Sequence, residues 1–189
     1  MFKLETERLI LRDLETDDVK LFYDMSIEKK ITNYQKWFLG ENGYKQWVEK
    51  SIYHNKRIPR FAYNLAIVLK NNGKAIGWIG WGTDDLEERE YNFGYSLLPE
   101  YWNKGFMTEA LKCSVYYMFN KLNASIVNGE CVDDNIGSAR VMEKAGLLLT
   151  KEWEEVNNET TKIEKRKQYS KIINEMGYRL CKSFITIIK

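Results

Sequence analysis

The chain is short of histidine and cysteine, and that scarcity sets the first bounds. His54 is the single histidine, and the three cysteines Cys113, Cys131 and Cys181 stand far apart without the close pairing of a metal site or a disulfide framework. Neither a metal nor a disulfide is expected. No apolar run approaches the roughly 20 residues that a membrane-spanning helix needs, and the opening MFKLETERL is polar, so neither a transmembrane segment nor a signal peptide is expected. An excess of one charge sign is missing too. With 29 basic residues against 27 acidic ones the net charge is +2, which supplies no field for nucleic acid or a membrane surface. Repeats, low-complexity tracts and linkers are absent as well. A reducing, cytoplasmic setting fits these absences.

What the chain does contain suffices for one core. Its 189 residues are 44% hydrophobic and 14% aromatic, which predicts a single domain over residues 1–176 with the tail 177–189 packed on it. Arg8 to Leu14 reads as a strand, and Thr16 and Asp17 offer helix caps before Val19, Leu21, Phe22 and Met25. A second helix carries Tyr44, Trp47, Val48, Ser51 and Ile52 on one face, and Trp37, Phe38, Tyr44 and Trp47 are either core or the lining of a substrate pocket. FAYNLAIVLK and KAIGWIGWG flank Asn71, Asn72 and Gly73, a hairpin pattern. Strands are also predicted over Tyr91 to Leu98, Ser125 to Val132, LLLTKEWEEV and Lys165 to Ile172.

The stretch from Asn92 to Leu122 organises the rest. A strand ends at the turn marked by Pro99, and a helix opens near Lys104 and Gly105, with Met107, Ala110, Leu111, Ser114, Met118 and Leu122 at helical spacing. The first N–H groups of a helix are unpaired and partly positive, so they suit phosphate oxygens where side chains leave the approach open. Gly105 leaves it open, Thr108 adds a hydroxyl and Lys104 a positive charge.

This run resembles the pyrophosphate loop of the GNAT superfamily of N-acetyltransferases, a Gln or Arg followed by two residues, Gly, one residue and Gly or Ala. The matching positions are Trp102, Asn103, Lys104, Gly105, Phe106 and Met107, with Thr108 next. The likeness is closest to the branch that acetylates ribosomal-protein N-termini, where the run looks like YWGKGYMTEAL; Asn103 replaces its second glycine. The opening TERLILRDL resembles the same branch, as does NIGSARVMEKAGL, which matches NxxSxRVxEKxGF at Asn135, Ser138, Arg140, Val141, Glu143, Lys144 and Gly146, with Leu147 in place of Phe.

The resemblance implies an α+β, three-layer fold, a mixed and mostly antiparallel sheet of about six or seven strands flanked by helices, with its central strands splayed. It implies acetyl-CoA as cofactor, with pyrophosphate on the amides from Asn103 to Thr108, Trp102 at the loop's start, pantetheine on the backbone of Leu97 and Leu98, and Asn135 and Ser138 across from it. Asn135 is equally a helix N-cap, and the two roles are compatible. The implied reaction is direct attack of a primary amine on the thioester, the acceptor being a protein N-terminus or a small amine such as an aminoglycoside or polyamine.

Two further positions bear on the chemistry. Asn92 stands where a Glu base is often found, and Met142 stands where many relatives have a Tyr acid, as aliphatic residues do in much of the ribosomal-protein branch. Glu90 is the candidate base, directly or through water, with Glu130 as another carboxylate on the neighbouring strand. Asn135, Ser138 or water is left to help the leaving group. A catalytically silent acyl-CoA sensor is the other reading of these substitutions, and KIEKRKQYSK read as a basic strand gives a third, a nucleic-acid-binding or protein-interaction surface. The expected assembly is a monomer or homodimer.

Overall fold

The computed structural model describes residues 1–35, 43–157, 161 and 163–172 and the backbone of 186–188. Nine strands and five helices follow one another there: β1 (Lys3–Glu5), β2 (Leu9–Asp13), α1 (Val19–Ile27), α2 (Lys29–Thr32), α3 (Gly43–Asn55), β3 (Ala62–Leu69), β4 (Ala75–Gly82), β5 (Glu90–Leu97), α4 (Phe106–Lys121), β6 (Ile126–Val132), α5 (Ile136–Lys144), β7 (Leu148–Val156), β8 (Ile163–Ile172) and β9 (Thr186–Ile188). They make one mixed sheet in the order β7-β8-β6-β5-β4-β3-β2-β1-β9. The strand count exceeds the six or seven expected, because β1 and β9 span only three residues each, too short to leave a periodicity in sequence. β9 pairs antiparallel with β1 and so lies at the sheet edge, the part of the 177–189 tail that falls within the described residues.

Strand alternation sends side chains to two layers. On one face Leu11, Leu65, Ile67, Ile79, Tyr91, Leu97 and Val127 pack with Met107, Ala110, Leu111 and Met118 of α4 and with Ala139 and Met142 of α5. On the other, Ala66, Val68, Trp78 and Leu98 pack with Leu21, Phe22 and Met25 of α1 and Val48 of α3. Trp47 belongs to this second core: its ring centroid lies 4.7 Å from Phe22 and 4.9 Å from Trp78. Tyr44 meets Tyr23 edge-on. Trp37 and Phe38 lie outside the described residues.

All strand pairs are antiparallel except β5 with β6, which run parallel. That pair holds only from Glu90↔Ile126 to Phe93↔Gly129, after which β5 stays with β4 while β6 continues against β8 to Val132. The two central strands therefore part, as the resemblance implied. The crotch of the V is filled by the Phe93 ring, which occupies the space a Cβ on Gly129 would need, with Met142 Sδ closing in from α5. Only glycine at 129 admits that approach.

Candidate active site

The mouth of the V is framed by the end of β5 and the start of α4. Gly105, at φ +78° and ψ 0°, occupies the left-handed region that glycine enters at little cost, and it turns the chain into α4 with no side chain capping the first turn. Asn103 is also left-handed, at φ 59°, a conformation Asn tolerates better than most residues. Residues Trp102 to Gly105 are exposed, and Phe106 and Thr108 are half-buried while Met107 is buried in the core. The helix begins at Phe106, one residue past the expected Lys104–Gly105 start.

Several contacts fix this loop. The Trp102 indole N–H donates to the Leu97 carbonyl at 2.7 Å. Arg8 reaches in from the start of β2, donating to the Lys104 carbonyl at 3.1 Å, and its guanidinium lies 4.5 Å from the Phe106 ring centroid. Glu109, in the first turn of α4, accepts from the Thr6 hydroxyl at 2.6 Å, the Arg8 backbone N–H at 2.9 Å and Arg8 Nε at 2.7 Å. Burial alone would raise the Glu109 pKa, but these donors outweigh it and hold the carboxyl below its ordinary value.

Alternation also sorts the β5 backbone. Leu98 N–H donates to the Ile76 carbonyl on the β4 side, so the N–H and C=O groups of Tyr95 and Leu97 point the opposite way, toward the parted β6. Of the two residues named for pantetheine, Leu97 therefore faces the opening, whereas Leu98 spends its N–H on Ile76 and its carbonyl accepts from Tyr101. The Tyr95 carbonyl accepts from the Gln35 side chain at 2.7 Å.

Across the V, Asn135 caps α5 by accepting from the Ser138 N–H at 3.1 Å. This brings Ser138 to Tyr95: the phenol donates to the Ser138 carbonyl at 3.1 Å and stands 3.0 Å from Ser138 Oγ. Burial raises the Tyr95 pKa, so the phenol stays protonated, and burial also raises that of Cys131, whose thiol lies against the Ser138 hydroxyl. Met142, fully buried, presents no proton here.

The candidate bases lie elsewhere. Glu90 is exposed at the start of β5, seven residues from Leu97 and so roughly 23 Å away at about 3.3 Å per residue. Its carboxylate accepts from Asn128, a 4% exposed amide that in turn accepts from Ser170 Oγ at 2.6 Å and Gln168 at 3.3 Å. Glu130 is taken by Arg166 at 3.3 Å. The basic run on β8 is engaged as well: Lys165 with Glu154, Arg166 with Glu130 and Glu155, Lys167 with Asp133 and Glu152.

Residues 8–148 match the family model of the acetyltransferase (GNAT) domain. The chain belongs to that family. An uncharacterised N-acetyltransferase of Bacillus subtilis, YnaD, is 28% identical over 145 residues, 76% of this chain and 81% of its own length. A GNAT acetyltransferase from Bacillus anthracis superposes with a TM-score of 0.78 at 22% identity, covering 91% of this chain and 98% of the neighbour. A ribosomal-protein-S5-alanine acetyltransferase from Vibrio fischeri gives 0.77 at 22% identity, covering 93% and 98%. These two structures share the fold, and the chain is an acyltransferase by family.

Sequence reading passed over Tyr95, Arg8, Gln35 and Asn128. Tyr95 was within reach, since it shares a strand face with Phe93 and Leu97; the Arg8 to Glu109 contact spans about a hundred residues and leaves no local trace. Among the described residues no group of three or more His, Cys, Asp or Glu could hold a metal ion, and no described helix is long and apolar enough to cross a membrane.

Proposed function

We propose that this GNAT chain transfers an acetyl group from acetyl-CoA to a primary amine by direct attack in a ternary complex, the acceptor being a protein N-terminus or a small amine such as an aminoglycoside or polyamine. The observation that carries the reading is the parting of β5 from β6 beyond Phe93 and Gly129, with the uncapped start of α4 at its mouth. The fit to acetyl-CoA rests on that opening: a glycine without a Cβ, unpaired first-turn amides, and the cations Lys104 and Arg8 nearby suit a pyrophosphate, while the inward N–H of Leu97 suits an amide-bearing arm.

In this reading the loop from Trp102 to Thr108 holds the phosphates and Leu97 aligns the arm. Holding donor and acceptor together supplies on the order of 7–11 kcal/mol of the barrier in favourable cases. The Tyr95 N–H, turned toward the opening, is the donor placed to meet a developing oxyanion. Asn135 shapes the far wall by fixing Ser138. At its distance Glu90 takes the acceptor's proton only along a chain of waters, its carboxylate held by Asn128.

The test is release of free thiol from acetyl-CoA against polyamines, aminoglycosides and N-terminal peptides, beside a Gly105→Trp variant. Turnover with one acceptor, lost in the variant, is the expected result. Binding of acetyl-CoA without release above background for any acceptor would replace this reading with cofactor sensing.

A further inference from the structure

With Met142 where many relatives carry a Tyr, position 142 offers no acid to the leaving group. The opening nonetheless holds a phenol, supplied from the opposite strand. Tyr95 lies past the last β5–β6 pair, its ring stacked on Phe93 at 6.0 Å between centroids and 13° between planes, and its hydroxyl spans the gap to Ser138 on α5. The phenol has one proton and two acceptors within reach, the Ser138 carbonyl and Ser138 Oγ. Given to the carbonyl, that proton leaves Tyr95 Oη as the acceptor for the serine proton. Given to Ser138 Oγ, it frees the serine proton to point into the opening. A negative charge arriving there favours the second arrangement, since a hydrogen bond to an ionised acceptor is roughly twice as strong as one between neutral groups.

We propose that Tyr95 is a positioning residue for Ser138: by donating to Ser138 Oγ it turns the serine O–H toward the sulfur that leaves acetyl-CoA. This rests on the acetyl-transfer reading above. As the acceptor's N–C bond forms and the C–S bond breaks, sulfur departs with the bonding electron pair as a thiolate. Ser138 O–H stabilises that thiolate by a hydrogen bond, and the thiolate then takes its proton from solvent, while the proton lost by the amine goes to the base. Tyr95 stays protonated throughout, as its burial requires.

The experiment titrates the thiol of bound CoA by its thiolate absorbance, taking the difference between the CoA and desulfo-CoA complexes so that Cys113, Cys131 and Cys181 cancel. In wild type the thiol should titrate below its free value of about 8.5. Tyr95→Phe keeps the ring and should raise that value by about one unit, a roughly tenfold loss of thiolate, with kcat falling by a similar factor while the KM for acetyl-CoA holds. Ser138→Ala should do the same, and the double variant should match either single one. Should Tyr95→Phe fail to fold, Ser138→Ala alone must show the shift. An unmoved titration in a variant that still binds CoA, or single effects that add, would overturn the proposal. No CoA binding by wild type would overturn the acetyl-transfer reading with it.

Discussion

Replacing Glu109 by Gln changes one heavy atom of the side chain and tests whether the loop before α4 is held from the N-terminus of the chain. The carboxylate collects three donors, the Thr6 hydroxyl and the backbone and side-chain N–H of Arg8, and Arg8 in turn braces the Lys104 carbonyl. A glutamine cannot accept at both positions: either its NH2 faces Arg8 Nε or it faces the pair formed by Thr6 and the Arg8 backbone, so at least one donor is left facing a donor. Hydrogen bonds to charged groups are worth about 1.5–3 kcal/mol. Loss of the negative charge from the first turn of α4 removes roughly another 0.3–1 kcal/mol of favourable dipole interaction.

We therefore expect a destabilisation of about 2–3 kcal/mol, which for a domain of this size lowers Tm by roughly 5–10 °C in thermal denaturation near neutral pH. The pH dependence has a definite sign. Because the folded Glu109 carboxyl titrates below its ordinary value of 4.5, its contribution is present above that value and fades as pH falls through the lowered one, so the gap between wild type and variant narrows on acidification. The KM for acetyl-CoA should rise as well, since Arg8 no longer fixes the loop. A Tm drop under about 2 °C with unchanged KM would refute the clamp, because a carboxylate with three donors cannot lose its charge that cheaply.

Gly105→Ala places a Cβ in the left-handed region and 3.4 Å from Arg8 Nη2; isothermal titration should show weaker CoA binding, and stability should fall by roughly 1–2 kcal/mol. Asn128→Ala leaves Glu90, Ser170 and Gln168 without a shared partner and should cost about 1–3 kcal/mol in urea denaturation; Asn128→Asp should do no better, because it sets a second carboxylate beside Glu90. With Cys181→Ser in the background, Cys113, its thiol pushed up to about 12 by burial, and Cys131, also raised, should resist a thiol reagent near pH 8 until the protein unfolds.

The loop and its helix were legible because local chemistry dictates them. Gly105 adopts the backbone shape that its residue type announces, and all the apolar positions read along α4 except half-buried Leu122 turn out to be buried. Asn135 caps its helix for the same reason. The aromatics of α3 were ambiguous until packing was known: Trp47 fits either a pocket wall or a core, and its contacts with Phe22 of α1 and Trp78 of β4 decide for the core. The Tyr95–Ser138 contact and the Arg8–Glu109 clamp are long-range pairs, so the sequence alone could not join them.

The two faces of β5 differ in how freely their side chains can be exchanged. Tyr91, Phe93, Tyr95 and Leu97 face the core that holds α4 and α5, where a change of size is felt by closely packed neighbours. Glu90 and Asn92 lie on the opposite face and are exposed, so substitution there leaves the packing intact. A base at position 92 is thus the kind of group a chain can lose without unfolding. Asn92→Glu separates the possibilities: Asn92 pairs in register with Asn128, whose amide already holds the Glu90 carboxylate, and a second carboxylate there would lie close to the first. Two carboxylates so placed resist joint ionisation, which raises the pKa of one of them. If the acceptor's proton leaves through Glu90 and water, Asn92→Glu should shift the lower limb of the pH–rate profile without lowering kcat at its optimum. A profile unchanged in both limbs would mean that neither position lies on the proton's path.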